Sequence, residues 1–198
     1  MRSFFLCIAV FGAFVMGCGD GNIQVVTDPT IQRNQDIQII EDFLASEGYT
    51  AGQIDTTALG VRFVILDSGF IDSTEVKIDE SDIVEYDFIG RLTDGALFDS
   101  SISSVAEGTD VFDAERVYSP FQTVYTESGW YINASQSFLI SGFRDGVTNT
   151  FSDMAIGGRS LIVMPSDLGY GLAPPIGSII PQNAVLVFEF RPVRIRKQ

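Results

Sequence analysis

The alternation at Val84-Glu85-Tyr86-Asp87-Phe88 constrains this chain more than any other stretch. A period of two puts Val84, Tyr86 and Phe88 on one face of a strand and the two acids on the other. Leu186, Phe188 and Phe190 share one face of a last strand in the same way. Val61–Leu66 and Ser160–Met164 read as further strands, with turn signals at Asp67-Ser68-Gly69 and Asp94-Gly95. Helical spacing is confined to two places. Ile37, Ile40, Phe43 and Leu44 form a stripe within Ile31–Glu47, stopped by Gly48, and a brief candidate covers Ser141–Val147. The first is expected to pack on the main domain or to space it from what precedes. Several strands with one short helix among them imply an α+β domain with an antiparallel sheet.

Composition narrows the chemistry. With 45% hydrophobic residues, 16 Phe among them, the 198-residue chain has enough apolar mass for one core plus an appendage. Its 12 basic and 26 acidic residues leave a charge of −14, which repels phosphate backbones and argues against a nucleic-acid partner. There is no His, and the only two Cys are Cys7 and Cys18. Catalytic triads, cysteine-protease chemistry and zinc sites built on His or Cys are therefore excluded, and neither a metal nor a cofactor is expected.

The N-terminus has a different grammar. Arg2 precedes an apolar run from Phe4 to Met16, the length of a signal-peptide core and too short for a membrane span. The run ends in Val15-Met16-Gly17-Cys18, which resembles a bacterial lipobox and implies lipidation of Cys18. Residues 1–17 then form a lipoprotein signal peptide, 18–30 a tether, 31–56 a helical segment and 57–198 the main domain. Lipidation would block the one remaining thiol, so no intrachain disulfide is expected.

Two blocks carry a family resemblance. Phe88-Ile89-Gly90-Arg91-Leu92-Thr93-Asp94-Gly95-Ala96-Leu97-Phe98-Asp99-Ser100-Ser101 is similar to the FKBP signature Y-x-G-x-L-x-D-G-x-x-F-D-S-S. Further on, Leu139-Ile140-Ser141-Gly142-Phe143, Met154 with Gly157 and Arg159, Pro165 to Gly171, and Ile179 to Phe188 resemble the family's remaining motifs in order. The chain is identified as a member of the FKBP-type peptidyl-prolyl isomerases from Val84 to Ile195. The lipobox and the preceding helix resemble exported FKBP lipoproteins of Gram-negative bacteria. The resemblance implies a twisted antiparallel sheet wrapped around one short helix, with a pocket between them.

By position, the resemblance implies that Asp99, Tyr170, Phe143 and Ile140 act on the substrate. Phe88, Phe121, Leu139, Ile179, Ile180 and Phe188 would line the rest of the pocket. The implied partners are proline-containing polypeptides in the cell envelope, with macrolide-type inhibitors as ligands and a monomer as the expected state. The implied activity is X-Pro isomerisation of exported proteins. An FKBP-like chaperone or binding module with little isomerase activity is the alternative, and a structural surface lipoprotein a third. Three features depart from the family pattern. Phe88 replaces a Tyr and so removes one hydrogen-bond partner from Asp99. Residues 102–137 form a long insertion, expected as a solvated loop or a client-binding rim, and Thr148–Asp153 form a smaller one.

Overall fold

The first helix starts at Asp28, whose carboxylate accepts the N–H groups of Thr30 (2.9 Å) and Ile31 (3.3 Å) while Pro29 supplies the fixed φ of a first turn. Helix α1 thus spans Pro29–Ser46 in the computed structural model, which describes residues 28–69, 78–79, 81–124 and 140–197. The expected tether of residues 18–30 gives way to helix at Pro29 and Thr30, because capping extends a helix beyond its apolar stripe. Gly48 stops it as expected, at φ +84°. Cys18, the signal segment and Leu139 lie outside the described residues.

Then follow β1 (Asp55–Thr56), β2 (Arg62–Asp67), β3 (Ile83–Leu92), β4 (Leu97–Ser100), the short helix α2 (Ser103–Ala106), β5 (Phe121–Val124), α3 (Ser141–Thr150), β6 (Arg159–Met164) and β7 (Leu186–Arg196). The strands form one antiparallel sheet in the order β1-β2-β6-β7-β3-β4, with β5 also paired to β3. β3 and β7 are its spine, in register from Ile83 opposite Arg196 to Leu92 opposite Leu186. One edge of β3 carries two partners in succession. Its first half pairs with β5 (Tyr86 opposite Phe121) and its second half with β4 (Gly90 opposite Asp99). The turn between β3 and β4 is the expected one, with Gly95 at φ +90° and the Ala96 N–H held by Asp94 Oδ1 at 3.0 Å.

The alternation sorts residues as expected: Val84, Tyr86, Phe88, Leu186, Phe188 and Phe190 all face the main core with Phe143, Val147, Phe151 and Ile162. Helix α3 lies close on this face. A Cβ on Gly142 would meet Met164 Sδ at 2.7 Å, and one on Gly146 would collide with Ile162, so glycine four residues apart lets the helix touch β6. The stretch Thr148–Asp153 is not an inserted loop. It completes α3 and a 3-10 turn at Phe151–Asp153, with Phe151 fully buried. The longer insertion likewise supplies α2 and β5 and is not wholly a solvated loop.

The sheet has a second buried face. Ile40 and Leu44 of α1 pack there on Val64, Val163, Val185 and Val187. The segment 31–56 therefore contributes a cover for the outer face and one short edge strand, β1.

Candidate active site

The candidate site is a cluster of rings that the sheet register brings together. Phe88 on β3 lies opposite Phe190 of β7, and Gly90 lies opposite Phe188. Phe143 comes down from the first turn of α3, 2% exposed. Its ring centroid is 4.8 Å from Phe188, 6.1 Å from Phe88 and Tyr86, and 6.4 Å from Phe190, all tilted or edge-on, the arrangements that ring quadrupoles favour. Phe121, the first residue of β5, meets Phe88 edge-on at 5.0 Å. Phe98 meets Phe188 edge-on at 5.3 Å. That last contact depends on Gly90, because a Cβ there would stand 2.6 Å from Phe98 Cε2 and 3.0 Å from Phe188 Cε1.

Polar groups occur at the edge of this apolar set. Asp99 Oδ1 accepts from Arg116 Nη1 at 2.6 Å and from the Ser100 N–H at 2.8 Å. The two side chains are 39% and 32% exposed, so the pair is hydrated and its partners are held loosely. Arg116 lies over the Tyr118 ring, its Cζ 5.0 Å from the centroid, and Tyr118 stacks on Phe112 at 5.9 Å. Tyr170 packs half-buried against the core cluster. Burial, and secondarily the Asp99 charge, push its phenol above the ordinary tyrosine value, so it is a hydrogen-bond donor at neutral pH. The β3 end of the site is fixed by Ser101, which donates to Asp87 Oδ1 (2.7 Å) and accepts the Phe88 N–H (3.0 Å).

Of the expected site residues, Phe88, Phe121, Phe143, Ile180 and Phe188 join one cluster, with Ile140 and Tyr170 packed against it. Asp99 lies at its border, next in sequence to Phe98. Ile179 does not join: it is 46% exposed on the loop beside buried Ile180. The hydrogen-bond partner that Phe88 cannot offer Asp99 is replaced by Arg116, which reaches in from the insertion. Two participants were missed in the sequence. Phe98 stands inside the quoted signature and could have been found there. Arg116 has only one signal, a lone cation after the acids of 107–115. Among the described residues no group of three or more His, Cys, Asp or Glu is placed to hold a metal ion.

An antiparallel sheet packed on one short helix, with an aromatic cluster between them, is the architecture of the FKBP fold. Residues 74–191 match the family of FKBP-type peptidyl-prolyl cis-trans isomerases, and the chain belongs to that family. The isomerase FkpA of Aeromonas hydrophila is 30% identical over 157 residues, covering 79% of this chain and 46% of the relative. FK506-binding protein 1A of Aspergillus fumigatus is 30% identical over 112 residues, 56% of this chain and 74% of the relative. Among solved structures, FkpA from Escherichia coli superposes with a TM-score of 0.51 at 20% identity, covering 84% of this chain and 62% of that one. That last likeness is one of fold. This chain spans about half the length of the Aeromonas relative.

Proposed function

We propose that this chain accelerates rotation about X-Pro bonds in exported polypeptides, using its aromatic pocket to favour the twisted amide. The observation that carries this reading is Phe143, ringed by Phe88, Phe188 and Tyr86, with the Tyr170 phenol and the Asp99 carboxylate near the same cluster. Rotation must break amide resonance, a barrier of about 18–20 kcal/mol. Before proline the two planar states differ by only about 0.5–1 kcal/mol, so both are populated. The twisted amide separates less charge than the planar one, so a dry aromatic wall stabilises it relative to the ground state.

In this scheme Phe143 is the floor under the prolyl ring, and Phe188 and Phe121 are its walls. Phe88 and Ile180 complete the lining. The Tyr170 hydroxyl and the Ile140 N–H donate to substrate carbonyls, and Asp99, held by Arg116, shapes the field near the rotating carbonyl. Each tenfold in rate corresponds to about 1.4 kcal/mol, so a few such contacts suffice for a modest acceleration. The chemistry requires no nucleophile, which suits a chain without His.

Two further parts of the reading concern ligands and location. The name of the Aspergillus relative supports FK506-type macrolides as pocket ligands. The Val15–Cys18 motif supports a lipid anchor at Cys18, on the periplasmic or outer-surface side of a bacterial envelope membrane. Mass spectrometry of the mature N-terminus tests the anchor, and an unmodified terminus at another residue refutes it.

The deciding experiment measures the cis-to-trans rate of a short X-Pro peptide and proline-limited refolding of a model protein, with and without FK506. Acceleration abolished by FK506 is the expected result. A chain that binds unfolded protein yet leaves both rates at the uncatalysed value is a chaperone-like module instead.

A further inference from the structure

The loop that carries Tyr170 is held from outside the family-matched region. Ser166 opens a 3-10 turn at Ser166–Leu168, and its carbonyl accepts the N–H groups of Gly169 (3.0 Å) and Gly171 (2.8 Å), the two amides that flank Tyr170. The N–H and hydroxyl of Ser166 both donate to Asp36 Oδ2, at 2.8 and 2.6 Å. Asp36 lies in the second turn of α1, 0% exposed and 130 residues away in sequence.

Its other oxygen closes a ring of hydrogen bonds. Asp36 Oδ1 accepts from Gln32 Nε2 at 2.7 Å, Gln32 Oε1 accepts from Asn183 Nδ2 at 2.8 Å, and the Asn183 N–H donates to the Gly171 carbonyl at 2.7 Å. Gly171 (φ +52°) and Asn183 (φ +57°) both sit in the left-handed region, which Gly and Asn accommodate, and the Asn183–Gly171 bond joins the two turns. Arg33, on the same turn of α1, pairs with Asp167 of the same loop.

A buried carboxylate is costly unless donors replace its water, and a hydrophobic residue would serve docking of α1 equally well. Ile40 and Leu44 already supply that docking. What Asp36 adds is directed bonding to the one turn that bears Tyr170. We propose that Asp36 is a positioning residue for the isomerase site: through Ser166 it fixes the Gly169–Gly171 turn and so aims the Tyr170 hydroxyl. Helix α1 is thereby part of the catalytic apparatus, although it lies outside residues 74–191. The inference rests on reading Tyr170 as the donor to substrate.

The test is a double-mutant cycle in the full chain: wild type, Asp36→Asn, Tyr170→Phe and the double variant. Each is assayed for the cis-to-trans rate of a short X-Pro peptide and for its thermal midpoint. Asn keeps the shape of Asp36 and loses the charge and half of the acceptor capacity that Ser166 and Gln32 use. Asp36→Asn is expected to lower kcat/KM about two- to tenfold in the wild-type background, the scale of one hydrogen bond. In the Tyr170→Phe background it should change nothing, since the group it aims is gone, whereas a general loss of stability would act alike in both. Equal losses in both backgrounds overturn the proposal. So does no loss in either while Tyr170→Phe alone still slows the enzyme, and the site reading then stands. If Tyr170→Phe leaves the rate unchanged, the reading of Tyr170 fails and the positioning role falls with it. Should Asp36→Asn not fold, Ser166→Ala, which removes only the hydroxyl donor, runs through the same cycle with the same outcomes.

Discussion

Replacing Phe143 separates its role in the core from its role in the pocket. The residue is 2% exposed and its ring approaches four others within 6.4 Å. Phe143→Ala removes that ring and leaves a cavity, at a cost of about 3–5 kcal/mol. Against a total stability of roughly 5–15 kcal/mol, that loss can unfold the domain and obscure any effect on catalysis. Phe143→Leu is the sharper perturbation, because it keeps most of the apolar volume and removes only the flat ring. The ring pairs contribute about 0.5–1.5 kcal/mol each, partly recovered by repacking, so a net loss of about 1–2 kcal/mol is expected. For a chain of this size that lowers the thermal midpoint by about 2–8 °C, leaving a folded protein at room temperature. Loss of the aromatic floor under the prolyl ring should cost a similar energy in the transition state, or about five- to thirtyfold in kcat/KM. The assay is the cis-to-trans rate of an X-Pro peptide, with circular dichroism as the folding control. A Phe143→Leu variant that melts lower but isomerises at the wild-type rate would show that Phe143 is core and not floor. A Phe143→Ala variant with an unchanged midpoint would refute the packing itself.

Three other outcomes are expected. Leu44→Ala, which empties a site on the outer face among Val64, Val163 and Val187, should lower stability by about 2–5 kcal/mol, and denaturant titration showing under about 0.5 kcal/mol would mean that α1 is a detachable segment. Arg116→Ala breaks a hydrated ion pair, so the folding free energy should change by less than about 1 kcal/mol, and a larger loss would mean that the pair is shielded from water. Burial raises the Tyr86 phenol above its ordinary 10.0, so the stability it contributes is complete below pH 10 and is lost as the pH rises through the raised folded-state value; the thermal midpoint should fall above pH 10, and identical slopes for wild type and Tyr86→Phe would sink that assignment.

The sheet's spine and most of the aromatic cluster were legible in the residue pattern alone. Val84, Tyr86 and Phe88, and Leu186, Phe188 and Phe190, alternate at the period of a half-buried strand, and that period leaves no choice of face. Asp94-Gly95 fixed the hairpin locally, and the signature around it carried Asp99 with it. Local chemistry also decided the start of α1, through Asp28 and Pro29, although the apolar stripe placed that start later. What only the tertiary structure decided are contacts between residues remote in sequence. No periodicity joins Arg116 to Asp99, because the insertion turns through α2 and folds back before it delivers the cation, ahead of β5. None marks Asp36 as a buried partner of Ser166, since a charged residue on a helix reads as solvent-facing until a second element supplies its donors. Asp36 shares the buried face of α1 with Ile40 and Leu44, one turn ahead of Ile40, so the apolar pattern stops short of the face that covers Val163 and Val187. Pattern follows from which face is dry, and for the outer face of this sheet the dry area exists only once α1 has docked.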